Sequence, residues 1–175
     1  KNKISGYRKS KAWANAQTVF FQVEFSIPFT DNKMLIHKEE IGEQFHFKVK
    51  KGESILIKVS LSSVDYEGAK KNMETELPGW NFETVKKNAE AQWNKELSKI
   101  EVTNNDKDKL KIFYTALYHC MIHPGIASDV DGRYLGMDNK IYTAKDFNYY
   151  TVFSLWDTFR ALHPLLTIID KKRSL

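Results

Sequence analysis

Ser54–Leu77, SILIKVSLSSVDYEGAKKNMETEL, changes its apolar period midway, and that change decides the fold class. Ile55, Ile57, Val59 and Leu61 recur at every second position, with Leu56 the one apolar residue between them, the period of a strand with one buried face. From Tyr66 the period lengthens: Tyr66, Ala69, Met73 and Leu77 recur three and four apart, so Val64 to Leu77 is expected to be a short amphipathic helix. Pro78-Gly79 ends it.

Upstream of this junction the chain reads as strands. Thr18 to Ile27 places Val19, Phe21, Val23, Phe25 and Ile27 on one face, expected to point inward, and Pro28 stops the run. Gln44 to Lys50 repeats the pattern with Phe45, Phe47 and Val49. Lys50-Lys51-Gly52-Glu53 suits a hairpin between it and the strand that follows, with Gly52 at a positive φ. Met34 to His37 is a weaker strand candidate. Gly6 to Gln17, GYRKSKAWANAQ, reads as a basic aromatic loop, with Trp13 capping a core or facing a partner. Half-buried alternating strands imply an antiparallel sheet packed on something, most simply a sandwich. The strands are too few for a whole sandwich.

Downstream the chain reads as helices. Phe82 to Ile100 carries the stripe Phe82, Val85, Ala89, Trp93, Leu97 and Ile100, with Asn81 as cap. Asp106 to Ile122 carries Leu110, Phe113, Leu117 and Met121, and Pro124-Gly125 closes it. Strands first and helices second give an α+β chain.

The net charge of +5, from 27 basic and 22 acidic residues, is scattered in small groups rather than gathered in a stripe, which argues against a nucleic-acid binder. The single cysteine, Cys120, excludes a disulfide framework and reads as a small hydrophobe. No stretch is apolar enough to span a membrane. The chain starts Lys1-Asn2-Lys3 and stops at Leu175 just after an apolar helix, so a fragment or processed segment is expected.

Three groups of residues are candidates for chemistry. His119 and His123 stand four apart on a helix, a spacing that can share a metal. No Glu lies between them and no third ligand is evident, so core or helix-end histidines are expected instead. Ser128 to Asp138, SDVDGRYLGMD, contains DxDG, half of a calcium-loop pattern. Its third acid and closing Glu are missing. An acid-rich turn with Gly132 at a positive φ is expected, followed by a short hairpin through Arg133 to Leu135 and Lys140 to Thr143.

The third group lies in Phe153 to Asp170, FSLWDTFRALHPLLTIID. The extended run NYYTV, Asn148 to Val152, leads into it, and Pro164 should kink it or mark a boundary. Asp157 and Arg160 are three apart and would share one face of a buried helix, with Trp156 beside the acid. An indole, a carboxylate and a guanidinium suit a polyhydroxylated ligand: the ring stacks on a sugar's C–H face and the charged groups hold hydroxyls. The competing reading is a structural Asp–Arg pair at a helix N-terminus.

Tyr114 to Asp138, YTALYHCMIHPGIASDVDGRYLGMD, and Tyr150 to Asp170, YTVFSLWDTFRALHPLLTIID, resemble glycoside hydrolase family 92. GYRKSKAW and LPGWNF are also similar to that family, so the resemblance covers nearly the whole chain. Gly125 and Leu135 depart from its pattern, standing where Asn and Arg are expected. The resemblance implies exo-acting α-mannosidases, mostly of glycan-consuming bacteria, that release terminal mannose with inversion and use calcium. It implies a β-sandwich, a linker and an (α/α)6 barrel: residues 1–62 as the last part of the sandwich, 63–103 as linker helices, and 104–175 as the first part of the barrel. It assigns Asp157 to hydrogen bonding with mannose, and Trp156 and Arg160 to shaping that pocket. The catalytic carboxylates and calcium ligands belong to later barrel segments, so none is assigned here and the chain alone is expected to be inactive. A mannose-containing glycan is the expected partner, with self-association through the bare final helix. The expected location is outside the cell, in the periplasm or at the cell surface. The alternative is a non-catalytic carbohydrate-binding or interaction module built around Trp13.

Overall fold

The computed structural model describes residues 1–11, 16–37 and 40–174, with only the backbone at residue 40. They form two compact units, Lys1–Phe82 with Ser128–Phe147, and Glu83–Ala127 with Asn148–Leu175.

The first unit contains β1 (Lys3–Ser10), β2 (Gln17–Phe25), β3 (Asp31–His37), β4 (Glu40–His46), β5 (Ile57–Ser62) and α1 (Tyr66–Glu76). β1, β2 and β5 make an antiparallel sheet in that order, and among the described residues β3 pairs only with β4. Two expectations change here. The first half of the expected basic loop is strand β1, whose Arg and Lys side chains sit at an exposed edge. The turn at Lys50–Glu53 forms, with Gly52 at φ 88° and Glu53 N–H donating to Lys50 O at 3.1 Å. It does not join a hairpin, because β4 ends at His46 and β5 pairs with β2. Turn chemistry fixes a reversal of the chain, not its ladder partner.

The register places Tyr7, Phe20 and Ser62 on one face with Ser5, Gln22 and Ser60. The opposite face carries Ile4, Val23 and Val59, then Gly6, Phe21 and Leu61. Gly6 is needed there, since a Cβ would meet the Phe21 ring at 2.5 Å. α1 packs on the first face, the polar one. The Tyr66 ring meets Phe20 edge-on at 4.9 Å, Gln22 Nε2 donates to Met73 Sδ at 3.6 Å, and Ser60 Oγ donates to Ala69 O at 2.5 Å. Small residues on both sides, Gly68 and Ala69 against Ser60 and Ser62, let helix and sheet approach closely, and hydrogen bonds satisfy the buried hydroxyls. The apolar stripe expected inside is therefore open: Ile57, Val59 and Leu61 are 58%, 54% and 58% exposed. Alternation identifies residues that share a face but not the face a helix covers.

β6 (Arg133–Leu135) and β7 (Ile141–Thr143) form the expected short hairpin within this unit. Gly132 has φ 83°, and a Cβ there would meet Ala144 O at 2.9 Å. Tyr134 and Tyr142 stack across the hairpin at 5.8 Å.

The second unit holds most of α2 (Phe82–Leu97), with α3 (Lys107–Ile122), α4 (Leu155–Thr158), α5 (Leu162–Ile169) and α6 (Lys171–Ser174). Asp106 caps α3, its carboxylate accepting from the backbone N–H groups of Asp108 and Lys109 at 3.0 and 3.2 Å. Leu117 of α3 is buried, and Tyr118 packs on Trp93 of α2 at 4.5 Å. Glu96 and Lys99 meet Asp170 and Arg173 in a charge network: Arg173 to Glu96 at 2.7 Å, Lys99 to Glu96 at 2.6 Å and Lys99 to Asp170 at 2.8 Å. The run expected as one buried helix is two short ones, α4 and α5, with exposed or half-buried side chains and none buried. Pro164 falls in the first turn of α5, where its missing N–H costs nothing, so the boundary lies before it.

Candidate functional site

The segment that carries Asp157 is built from an extended approach and a single helical turn. Ala127 N–H donates to Tyr149 O at 2.8 Å and Thr151 N–H to Gly125 O at 2.8 Å, which fixes the approach strand. His123 Nε2 contacts Val152 O at 2.7 Å. The Phe153 ring then lies edge-on between His123, at 5.5 Å, and His163, at 4.8 Å. Ser154 stands at the N-cap of α4, but its hydroxyl donates to Asp157 Oδ2 at 3.1 Å instead of receiving a backbone N–H. Thr158 Oγ1 donates to Ser154 O at 3.1 Å and contacts His163 Nε2 at 2.8 Å.

This arrangement presents Trp156, Asp157 and Arg160 outward. Trp156 is 88% exposed and Phe159 is also open. The Arg160 guanidinium lies over the Phe159 ring at 5.6 Å. Asp157 and Arg160 share no ion pair among the described residues, so the shared face drawn for one continuous helix does not bind them together. Asp157 accepts from Ser154, and an ionised carboxylate has room for about four such bonds. The structure thus brings together an open carboxylate and an open indole, with the guanidinium nearby in sequence but held on an aromatic ring.

A cavity of about 340 Å³ lies behind this surface, lined by Cys120, His123, Tyr150, Phe153 and His163 among others. Trp156, Asp157 and Arg160 do not line it. It is the space between helices beneath the turn, while the polar groups able to grip a sugar stand on the turn itself.

The acidic loop has a different construction. Asp129 is 6% exposed and accepts from Ser62 Oγ at 2.7 Å and Asn72 Nδ2 at 2.8 Å. Asn72 returns a bond through its Oδ1, which accepts Val130 N–H at 2.8 Å. Asp131 takes Lys71 Nζ at 3.0 Å and Arg133 Nε at 2.9 Å. Arg133 also pairs with Asp65, the N-cap of α1, at 2.6 Å. The Arg133 hydrogen bond holds the Asp65 carboxyl below the usual range. Burial works against ionisation of Asp131, but the bonds from Lys71 and Arg133 outweigh it and hold its carboxyl low as well.

Among the described residues no group of three or more His, Cys, Asp or Glu is placed to hold a metal ion. In the half calcium loop the partners of Asp131 are already cations, and Asp129 is committed to neutral donors. His119 packs on Tyr118 at 5.8 Å while His123 bonds Val152. Trp13 lies outside the described residues.

Residue-by-residue reading missed His163 and Thr158. One signal pointed to part of the arrangement: Ser154 and Asp157 have the spacing of a helix capping box, S-x-x-D.

A family model described as the glycosyl hydrolase family 92 catalytic domain matches residues 68–175. A curated relative from Arthroderma benhamiae, described as an uncharacterized secreted glycosidase, is 30% identical over 107 residues, 59% of this chain and 13% of that protein. A solved family GH92 alpha-mannosidase from Bacteroides thetaiotaomicron is 35% identical, with TM-score 0.85, over 95% of this chain and 25% of that one. The same enzyme is solved in complex with mannoimidazole. A family GH92 inverting mannosidase from Bacteroides thetaiotaomicron matches at 23% identity and TM-score 0.82, over 95% of this chain and 25% of that one. The chain therefore spans about a quarter of the solved chains and 13% of the curated relative.

Proposed function

This chain belongs to glycosyl hydrolase family 92, and on that premise we propose that it supplies part of the sugar-binding surface of a secreted or periplasmic exo-acting α-mannosidase. In this reading residues 1–62 complete a β-sandwich, 63–103 link it to the catalytic domain, and 104–175 begin an (α/α)6 barrel. Asp157 accepts hydrogen bonds from hydroxyls of the terminal mannose, Trp156 stacks on its C–H face, and Arg160 donates from the side. The observation that carries the proposal is the open Trp156–Asp157 tip, with the acid bonded by Ser154. The mannoimidazole complex of a relative supports the choice of sugar, and the word secreted in the curated relative's description supports the location.

Hydrolysis with inversion needs an acid and a base about 6.5–9.5 Å apart, so that a water fits between them. We assign neither to this chain, and calcium, expected from the family resemblance, finds no fitting donor set among the described residues. The contribution of these residues is to bind and orient. An aryl α-mannoside tests the division. The 175-residue chain is expected to show no turnover with calcium present, and measurable turnover would refute it.

A second proposal concerns association. Leu155, Phe159 and Ile168 of the second unit are exposed, as is the Ile57, Val59 and Leu61 face of the first. Bare apolar surface of this kind promotes contact between copies. Sedimentation of the chain is expected to show self-association, and a clean monomer at tens of micromolar would contradict it.

A further inference from the structure

We propose that His163 and His123 are positioning residues for Asp157, each donating an Nε2–H bond that pins the turn on which the acid is mounted. This rests on the reading of Asp157 as a sugar-binding carboxylate.

We assign the single hydroxyl proton of Thr158 to Ser154 O, 3.1 Å away, rather than to His163 Nε2. The 2.8 Å contact between Thr158 Oγ1 and His163 Nε2 must then be an N–H donated by the imidazole. Val152 O has no proton, so His123 Nε2 is a donor too, at 2.7 Å. Thr151 Oγ1, 3.5 Å from the same nitrogen, already accepts Gly125 N–H. Both rings therefore carry the proton on Nε2.

The turn needs these ties. α4 has four residues, far below the length at which a helix holds itself. Its direction is set by what grips its two ends. His123, the C-cap of α3, holds the N-terminal side at Val152. His163, in the first turn of α5 beside the rigid Pro164, holds the C-terminal side at Thr158. Phe153 fills the space between the two rings. Thr158 and Ser154 relay the constraint to the carboxylate itself. Two histidines that touch no sugar in this reading thereby orient the acid that hydrogen-bonds it.

The kinetic test uses the full-length protein that contains this chain, with an aryl α-mannoside as substrate. His163→Phe keeps a ring but removes the donor, and KM should rise about tenfold through misplacement of Asp157. His163→Gln restores a donor near the same position and should return KM to within about twofold of the parent. A purely structural role would lower the amount of active protein and leave KM unchanged, so an unchanged KM in His163→Phe overturns the proposal. Asp157→Asn separates the two readings. If it leaves KM untouched, the sugar-binding reading itself fails. If it raises KM while His163→Phe does not, only the positioning role fails. Should His163→Phe not fold, long-range nitrogen–proton NMR of the unmutated 175-residue chain decides. Neutral Nε2–H tautomers at both histidines support the assignment, and an Nδ1–H tautomer at either overturns it.

Discussion

Asp129 and Asp157 are both aspartates that follow a polar or an aromatic residue, and they are held in opposite ways. Asp129 is buried in the first unit, gripped by Ser62 of β5 and Asn72 of α1. Asp157 stands open in the second unit, with a serine three residues back as its partner. A carboxylate fully engaged by its own fold has little left for a ligand, and one left open contributes little to the fold. The contrast separates an acid that builds the fold from the acid we propose to bind sugar, and mutations can break or sharpen it.

The largest effect is expected from Asp129→Ala. It leaves the Ser62 hydroxyl proton and one of the two Asn72 amide protons without an acceptor, and should cost about 2–4 kcal/mol in denaturant unfolding. A loss below about 0.5 kcal/mol would erase the distinction between the two acids. Gly68→Ala sharpens the same point from the other side. A Cβ at residue 68 collides with the Asp129 carboxylate and crowds Ser62 Oγ at 2.6 Å. Destabilisation of about 1–3 kcal/mol is expected, measurable as a lowered Tm.

A smaller effect is expected from the charges that tie the second unit together. Hydrogen bonds from Arg173, then Lys99, outweigh burial and lower Glu96 from 4.5 to about 2. Because the folded value lies below the unfolded one, this contribution is complete above pH 4.5 and disappears as pH falls towards 2. Arg173 is half exposed, so screening reduces the tie to about 1 kcal/mol at neutral pH. Glu96→Gln should remove that increment at pH 7 and flatten the acid limb of a stability–pH curve. An unchanged curve would mean that the network adds nothing to the second unit, the unit that carries Asp157.

The sequence disclosed a good deal of this. The alternating runs around Val23 and Val59 form strands, the stripe through Leu117 forms a helix, and the loop at Gly132 turns as its glycine requires. Spacing alone left Asp157 between a structural Asp–Arg pair and a sugar-binding acid, and only the family resemblance favoured the second. Local rules could not reveal that Ser60, Ser62 and Gln22 would be buried in preference to Ile57, Val59 and Leu61. That choice depends on a helix whose small residues fit the polar face. They could not reveal the partners of Asp129 either, because Ser62 and Asn72 lie more than 50 residues away in the chain. His163 escaped notice because a histidine before a proline in an apolar helix carries no signal of its own. Only the contact with Thr158 gives it a role.

The most direct test of the contrast is Asp157→Asn in the full-length protein, with mannoimidazole affinity and Tm measured on the same sample. A bond between a charged group and a sugar hydroxyl is worth about 1.5–3 kcal/mol, so affinity should fall roughly ten- to a hundredfold or more. Tm should stay within about one or two degrees of the parent, as for surface substitutions generally. Unchanged affinity, or a Tm that falls as far as in Asp129→Ala, would contradict the account.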